Sequence, residues 1–194
     1  MRRDVLMLQG PIGPFFKRFA QGLESRGFRV WKVNFNGGDR LFFRGERTID
    51  FAGRLEHWEQ HLERLVVNRA IGRIYLFGDC RAYHRIAREV AQRHAIRLFV
   101  FEEGYVRPNF ITLEEHGVNG HSTMMERPVR LDETDGEPPD EHAQPGHVFP
   151  VTAAYSMIYY WAAALHRRRF PHYRHHRPFA WLSEGLRWVR SGLR

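Results

Sequence analysis

Four short apolar runs, at residues 5–8, 29–33, 74–77 and 98–101, alternate with three stretches of helical periodicity, and this order constrains the chain more than any other feature. Each run is of strand length, and three are almost uninterrupted by polar residues, the pattern of parallel strands covered on both faces. Between them, Pro14 opens a helix whose stripe is Phe15, Phe16, Phe19, Ala20 and Leu23, with Gly27 as its stop. Asp50 is placed to cap a second helix carrying Phe51, Leu55, Trp58, Leu62, Leu65 and Val66, and a third runs from about Tyr83 to His94. The order β-α-β-α-β-α-β predicts an α/β fold with a Rossmann-like parallel sheet and right-handed crossovers.

The rest of the chain reads differently. Residues 126–147, rich in Pro, Gly, Asp and Glu, predict a solvated acidic loop, with seven acids against two arginines over 126–141. Residues 149–165 carry no charge, and Arg167, Arg168 and Arg169 follow. Pro150, Thr152 and Ser156 dilute the run, so a helix from near Thr152 is expected to pack on the domain or lie at a membrane surface rather than span. A last amphipathic stretch covers 179–193. Three regions result: a Rossmann-like domain at 1–125, an acidic linker at 126–147, and a basic helical segment at 148–194.

Charge and composition narrow the function. Of 30 cations only residues 17 and 32 are lysine, and 161–194 hold eight arginines against Glu184, most of the net charge of +8. A charge-driven partner therefore meets the tail, and an anionic membrane surface suits it. Nucleic acid is not expected, because the cations sit in one terminal segment with no helix-turn-helix, RRM or finger pattern. A single cysteine excludes a disulfide framework, and the first residues are too short an apolar run for a secretory signal, which reads as cytoplasmic. Cys80 reads as a small core residue, and His172, His175 and His176 as a solvated basic face rather than a metal site; no metal is expected.

Ligands of open parallel sheets bind beyond the carboxyl ends of the strands. The loops there are Gln9-Gly10-Pro11-Ile12-Gly13, the polar turn 34–39 with Asn36 and Gly37, Gly78-Asp79-Cys80-Arg81 with His84 a turn later, and Glu102-Glu103 followed by Arg107. The first is neither a dinucleotide nor a Walker loop, which argues against an oxidoreductase. Taken singly, Gly-Asp and Asn-Gly are ordinary turn pairs, and Asp79 is also placed to cap a helix. Together they put Gln, Asn, Asp, Arg, His and two Glu on one rim, the makings of a polar small-molecule or sugar site. Of Glu102 and Glu103 only one is expected to face the cleft, where a carboxylate serves as base or nucleophile; the alternative is an ion pair with Arg107 or Arg97.

The segments Gln9–Phe15, Asn34–Asp39, Phe77–His84 and Phe101–Pro108 with Thr112-Leu113-Glu114 resemble the KpsS-type branch of the capsule polysaccharide biosynthesis and export family, and the likeness extends over essentially the whole chain. The resemblance implies the N-terminal half of a GT-B glycosyltransferase that transfers Kdo from CMP-Kdo, with retention, to a phosphatidylglycerol-type lipid at the cytoplasmic face of the inner membrane. It implies no cofactor beyond the CMP-sugar donor, and capsule synthesis and export proteins as partners. By similarity, Glu103 is the expected nucleophile or base with Glu102 as alternate. Gln9, Gly10, Asn36, Gly37, Asp79, Arg81, His84 and Arg107 are the expected substrate contacts. A second Rossmann-like domain with a His-Pro dipeptide follows in the family. This chain has no His-Pro, and a half of this kind is expected to be inactive alone. The rival reading is a non-catalytic, membrane-peripheral interaction protein of the capsule machinery.

Overall fold

A computed structural model describes residues 4–103, 111–122 and 148–174. Strands β1 (Asp4–Met7), β2 (Arg29–Asn34), β3 (Thr48–Asp50), β4 (Ile71–Phe77), β5 (Arg97–Glu103) and β6 (Ile111–Glu115) form one sheet in the order β3-β2-β1-β4-β5-β6. Five strands run parallel and β6 returns antiparallel to β5. Helices α1 (Phe15–Glu24), α2 (Gly37–Phe42), α3 (Trp58–Asn68), α4 (Ala82–Arg93) and α5 (Val148–Leu165) complete the described residues. The architecture is the α/β, Rossmann-like half expected from the runs.

Alternation along β1 explains why the sheet is doubly covered. Val5 and Met7 face one side, where Phe16 and Ala20 of α1 pack with Val30, Tyr75 and Phe101. Leu6 and Leu8 face the other, against Trp58, Leu62, Ala87 and Val90 of α3 and α4. Successive side chains of a strand point to opposite faces, so a wholly apolar run such as β1 suits only a strand with a helix on each side. The strand order reverses between β1 and β4, and the crevice beyond their carboxyl ends is the switch point where such sheets take ligands.

Several expectations need correction. Residues 37–42 form helix α2 instead of an open turn, with Gly37, Gly38 and Asp39 buried. Asp50 caps nothing: it ends the short strand β3 and pairs with Arg40 and, at 2.7 Å, with Arg169, while α3 starts at Trp58 after a single 3-10 turn. Helix α5 starts at Val148, not near Thr152, and packs on α2. None of the helices among the described residues is long and apolar enough to cross a membrane. The acidic loop 126–147, Arg107, His175, His176 and the stretch 179–193 lie outside the described residues.

Candidate functional site

At the carboxyl end of β1 the chain meets α2 and α5 in a buried polar knot. Gln9 is 3% exposed, and its Nε2 donates to the hydroxyls of Tyr159 at 3.0 Å and Tyr173 at 2.9 Å, with Asp39 Oδ1 at 3.3 Å. Asn36 caps α2 by accepting from the Asp39 amide at 3.0 Å, and its Nδ2 donates to the Tyr159 hydroxyl at 2.7 Å. Tyr159 in turn donates to Asp39 Oδ1 at 3.0 Å, and the other carboxylate oxygen accepts from the Phe35 amide. Burial pushes the Tyr159 phenol well above its ordinary value and that of Tyr173 up to about 12, with the Asp39 charge adding to both. Both phenols therefore stay protonated at neutral pH.

The glycines here serve contact. A Cβ on Gly37 would collide with the Ala162 carbonyl of α5, one on Gly38 with the Tyr159 ring, and one on Gly10 would stand 2.7 Å from the Phe16 ring. Helix α5 thus rides directly on the backbone of α2, which only glycine at 37 and 38 permits. The sequence-expected contacts Gln9, Gly10, Asn36 and Gly37 come together here, but as the internal joint that seats α5 on the rim.

After β4 the chain turns at Gly78, whose φ of +66° favours glycine. Asp79 is 2% exposed and does not cap α4. It accepts from Arg88 at 2.6 Å and from the Val118 amide at 3.3 Å, with His121 Nδ1 at 3.1 Å, and so fastens α4 to residues 118–121. His84 is likewise buried, its Nδ1 2.5 Å from the Gly78 carbonyl. Cys80 is exposed, a correction to the core reading; its thiol donates to Asp79 at 3.4 Å, and that bond first, burial second, pushes the thiol up and away from nucleophilic use.

The paired glutamates separate as their spacing requires. Glu102 continues the face of Val100, on the α3 and α4 side, and is half-buried with Oε2 3.6 Å from where a Cβ of Gly78 would stand. Glu103 continues the face of Phe101, on the α1 side, and is exposed. Glu102 is thus the carboxylate beside the β4 turn. Arg97 makes a bidentate pair with Glu115 at 2.7 and 2.8 Å at the opposite end of β5, and with neither glutamate of the rim.

Beyond these ends, on the α3 and α4 side, opens a cleft of about 590 Å³. It is lined by Gln9, Arg81 and Tyr83, by Arg54, Leu55 and Glu56, and by Pro171, His172, Tyr173 and Arg174. Glu56 is engaged with Arg54 and His57, each at 3.7 Å, which leaves Arg81 and Arg174 to give the cleft its positive character. Two guanidiniums lining one cleft suit a phosphate or carboxylate. A separate water-sized void of about 20 Å³ lies behind the knot, between Gly10, Lys32, Asp39 and Tyr159. Lys32 is buried, donates to the Val33 carbonyl at 2.5 Å and to Asn34 Oδ1 at 3.1 Å, and burial lowers its amine to about 8 although Asp39 and Asp50 pull the other way.

Of the sequence-expected residues, the cleft takes in Arg81 and the edge of Gln9. Arg54, Arg174, Tyr159, Tyr173 and Lys32 were not anticipated. Lys32 carried a signal, as a lysine inside an apolar strand run; the tyrosines carried none, because nothing local separates a tyrosine that bonds across the fold from one that packs. Among the described residues no three His, Cys, Asp or Glu side chains form a metal-holding group.

The chain is similar to known proteins in a consistent way. It is 37% identical over 191 residues to the capsule polysaccharide export protein KpsS of Escherichia coli, covering 97% of this chain and 49% of that one. It is 35% identical over 180 residues to the capsule polysaccharide modification protein LipB of Neisseria meningitidis serogroups A and B, covering 90% of this chain and 43% of theirs. The chain spans about half the length of the curated relatives it matches. Residues 72–192, which include the β4 turn, the glutamate pair and α5, match the model of the capsule polysaccharide biosynthesis protein family, and the chain belongs to that family.

Proposed function

We propose that the protein serves capsule polysaccharide assembly as the N-terminal half of a retaining GT-B glycosyltransferase. The whole enzyme would transfer Kdo from CMP-Kdo to a phosphatidylglycerol-type lipid at the cytoplasmic face of the inner membrane. In this reading a glutamate carboxylate attacks the anomeric carbon and CMP leaves. The acceptor hydroxyl then displaces the carboxylate and gives up its proton to it, and the two inversions together retain configuration. Glu102 is the better placed of the pair, since it stands beside the turn that delivers Arg81 to the cleft. Arg81 and Arg174 receive an anion, either the phosphate of the acceptor headgroup or the carboxylate of the sugar. The observation that carries the reading is this arginine-lined cleft at the β1/β4 switch point.

Titration calorimetry tests it, with glycerophosphoglycerol as the soluble headgroup in one arm and CMP-Kdo in the other. Saturable binding of either anion, weakened roughly tenfold to a hundredfold in Arg81→Ala, is the expected result. Binding of neither, or an affinity indifferent to Arg81→Ala and Arg174→Ala, refutes it. The internal engagement of Gln9, Asn36 and Asp79 favours one rival, a non-catalytic member of the capsule machinery; that reading predicts no binding of either soluble anion.

A further inference from the structure

Helix α5 carries no charged side chain, and among the described residues it is covered on the side that meets α2. Tyr159 and Ala162 are buried against α2, with the Tyr159 hydroxyl held by Gln9, Asn36 and Asp39. The outward face is Val151, Met157, Ile158, Trp161 and Leu165, with fractional exposures of 52, 72, 48, 76 and 74%. These positions recur at intervals of three, four, six and seven, so they form one continuous stripe along four turns. A helix that is hydrophobic all round belongs in a buried setting, and a stripe of this length is more than the scattered apolar residues of an ordinary surface.

Charge identifies the cover. From residue 148 to residue 171 there is no acidic side chain, and the stripe runs directly into Arg167 and Arg168, both exposed. Arg169 is not part of this pair, being held by Asp50 at 2.7 Å. Trp161 and Leu165 therefore stand within two turns of two exposed guanidiniums that pair with no acid among the described residues. An indole and aliphatic side chains beside cations match the boundary between acyl chains and anionic headgroups. Residues 171–174, which follow α5 without a break, line the arginine cleft.

We propose that the outward face of α5 is a preformed docking surface for an anionic bilayer, on which Val151, Met157, Ile158, Trp161 and Leu165 enter the acyl boundary while Arg167 and Arg168 meet lipid phosphates. The polar knot keeps the helix seated on α2, so docking needs no folding at the membrane. The proposal rests on the reading that the protein works on a lipid, and it adds the surface by which the protein reaches it.

The test is flotation of the 194-residue chain with vesicles of phosphatidylcholine and phosphatidylglycerol in equal parts, beside vesicles of phosphatidylcholine alone. The wild type is expected to float with the anionic vesicles and to lose binding in high salt. Met157→Glu/Trp161→Glu, whose sites face away from the core, is expected to bind at least about tenfold more weakly while keeping its melting transition. In the wild type, acyl-chain-brominated lipid is expected to quench a fluorescence component that Trp161→Phe lacks, a readout independent of any charged variant. Flotation of the double variant equal to wild type, no quenching assigned to Trp161, or a dimer in solution that the double variant dissolves each overturns the docking face. Retained binding of soluble glycerophosphoglycerol in such a case confines the failure to α5 and leaves the cleft standing.

Discussion

Replacing Tyr159 with phenylalanine removes one oxygen atom and three hydrogen bonds. The hydroxyl accepts from Asn36 Nδ2 at 2.7 Å and Gln9 Nε2 at 3.0 Å and donates to Asp39 Oδ1 at 3.0 Å. Gln9 keeps Tyr173 and Asp39 keeps the Phe35 amide, so neither is stripped of partners. Asn36, at a site 2% exposed, keeps its bond to the Tyr173 hydroxyl. A hydrogen bond to a carboxylate contributes about 1.5–3 kcal/mol and a neutral one about 0.5–1.5 kcal/mol. Because the three lost bonds share one network they do not simply add, and about 3 kcal/mol in all is expected. Urea unfolding of the wild type and variant measures this, and hydrogen exchange localises it: amides of α5 and α2 are expected to lose protection before those of β1 and β4. The Asn36→Ala background is the control, since there the same substitution breaks one bond fewer and is expected to cost about 1 kcal/mol less. A loss below about 0.5 kcal/mol, or exchange unchanged in α5, would refute the joint as the element that seats the helix.

Lys32 gives a pH signature. Its amine falls from 10.5 to about 8 in the fold, so below pH 8 the folded state bears the full cost of a buried charge, and stability rises as pH climbs between the two values. From about pH 7 to pH 9.5 the wild type is expected to gain roughly 2 kcal/mol relative to Lys32→Met, read by urea unfolding; parallel profiles would contradict it. Above pH 10 the raised phenols of Tyr159 and Tyr173 oppose this trend, because the unfolded chain then releases protons that the folded one keeps. Gly37→Ala is expected to destabilise by about 2 kcal/mol or more through collision with the Ala162 carbonyl, with the loss again concentrated in α5 exchange; a neutral outcome would contradict the close seating of α5 on α2.

The parallel strands were legible because their residues obey one rule at a time: continuous apolar runs, separated by helical stripes, admit little besides a covered parallel sheet. Short elements were not. Thr48–Asp50 is too brief to show a period, and Ile111–Glu115 is an edge strand whose apolar residues, Ile111 and Leu113, are exposed. Asn36–Asp39 reads as a turn by local preference and becomes a capped helix because α5, more than a hundred residues later, presses on its glycines. The site divided along the same line. Strand-end geometry located the rim and separated Glu102 from Glu103 in principle, but which rim residues would be consumed by Tyr159, Arg88 and Val118 depends on contacts that no local pattern encodes. Asp79 is the clearest case: its sequence context suits a cap or a ligand contact equally, and in the fold it is a tie between α4 and the segment after β6.

Soaking crystals of the protein with glycerophosphoglycerol, and separately with CMP-Kdo, tests the arginine cleft most directly. The account predicts an anionic group held between Arg81 and Arg174, on the side of the sheet that Glu102 faces. Both compounds at saturation leaving that space to solvent, or either binding reproducibly at some other face of the sheet, would contradict it.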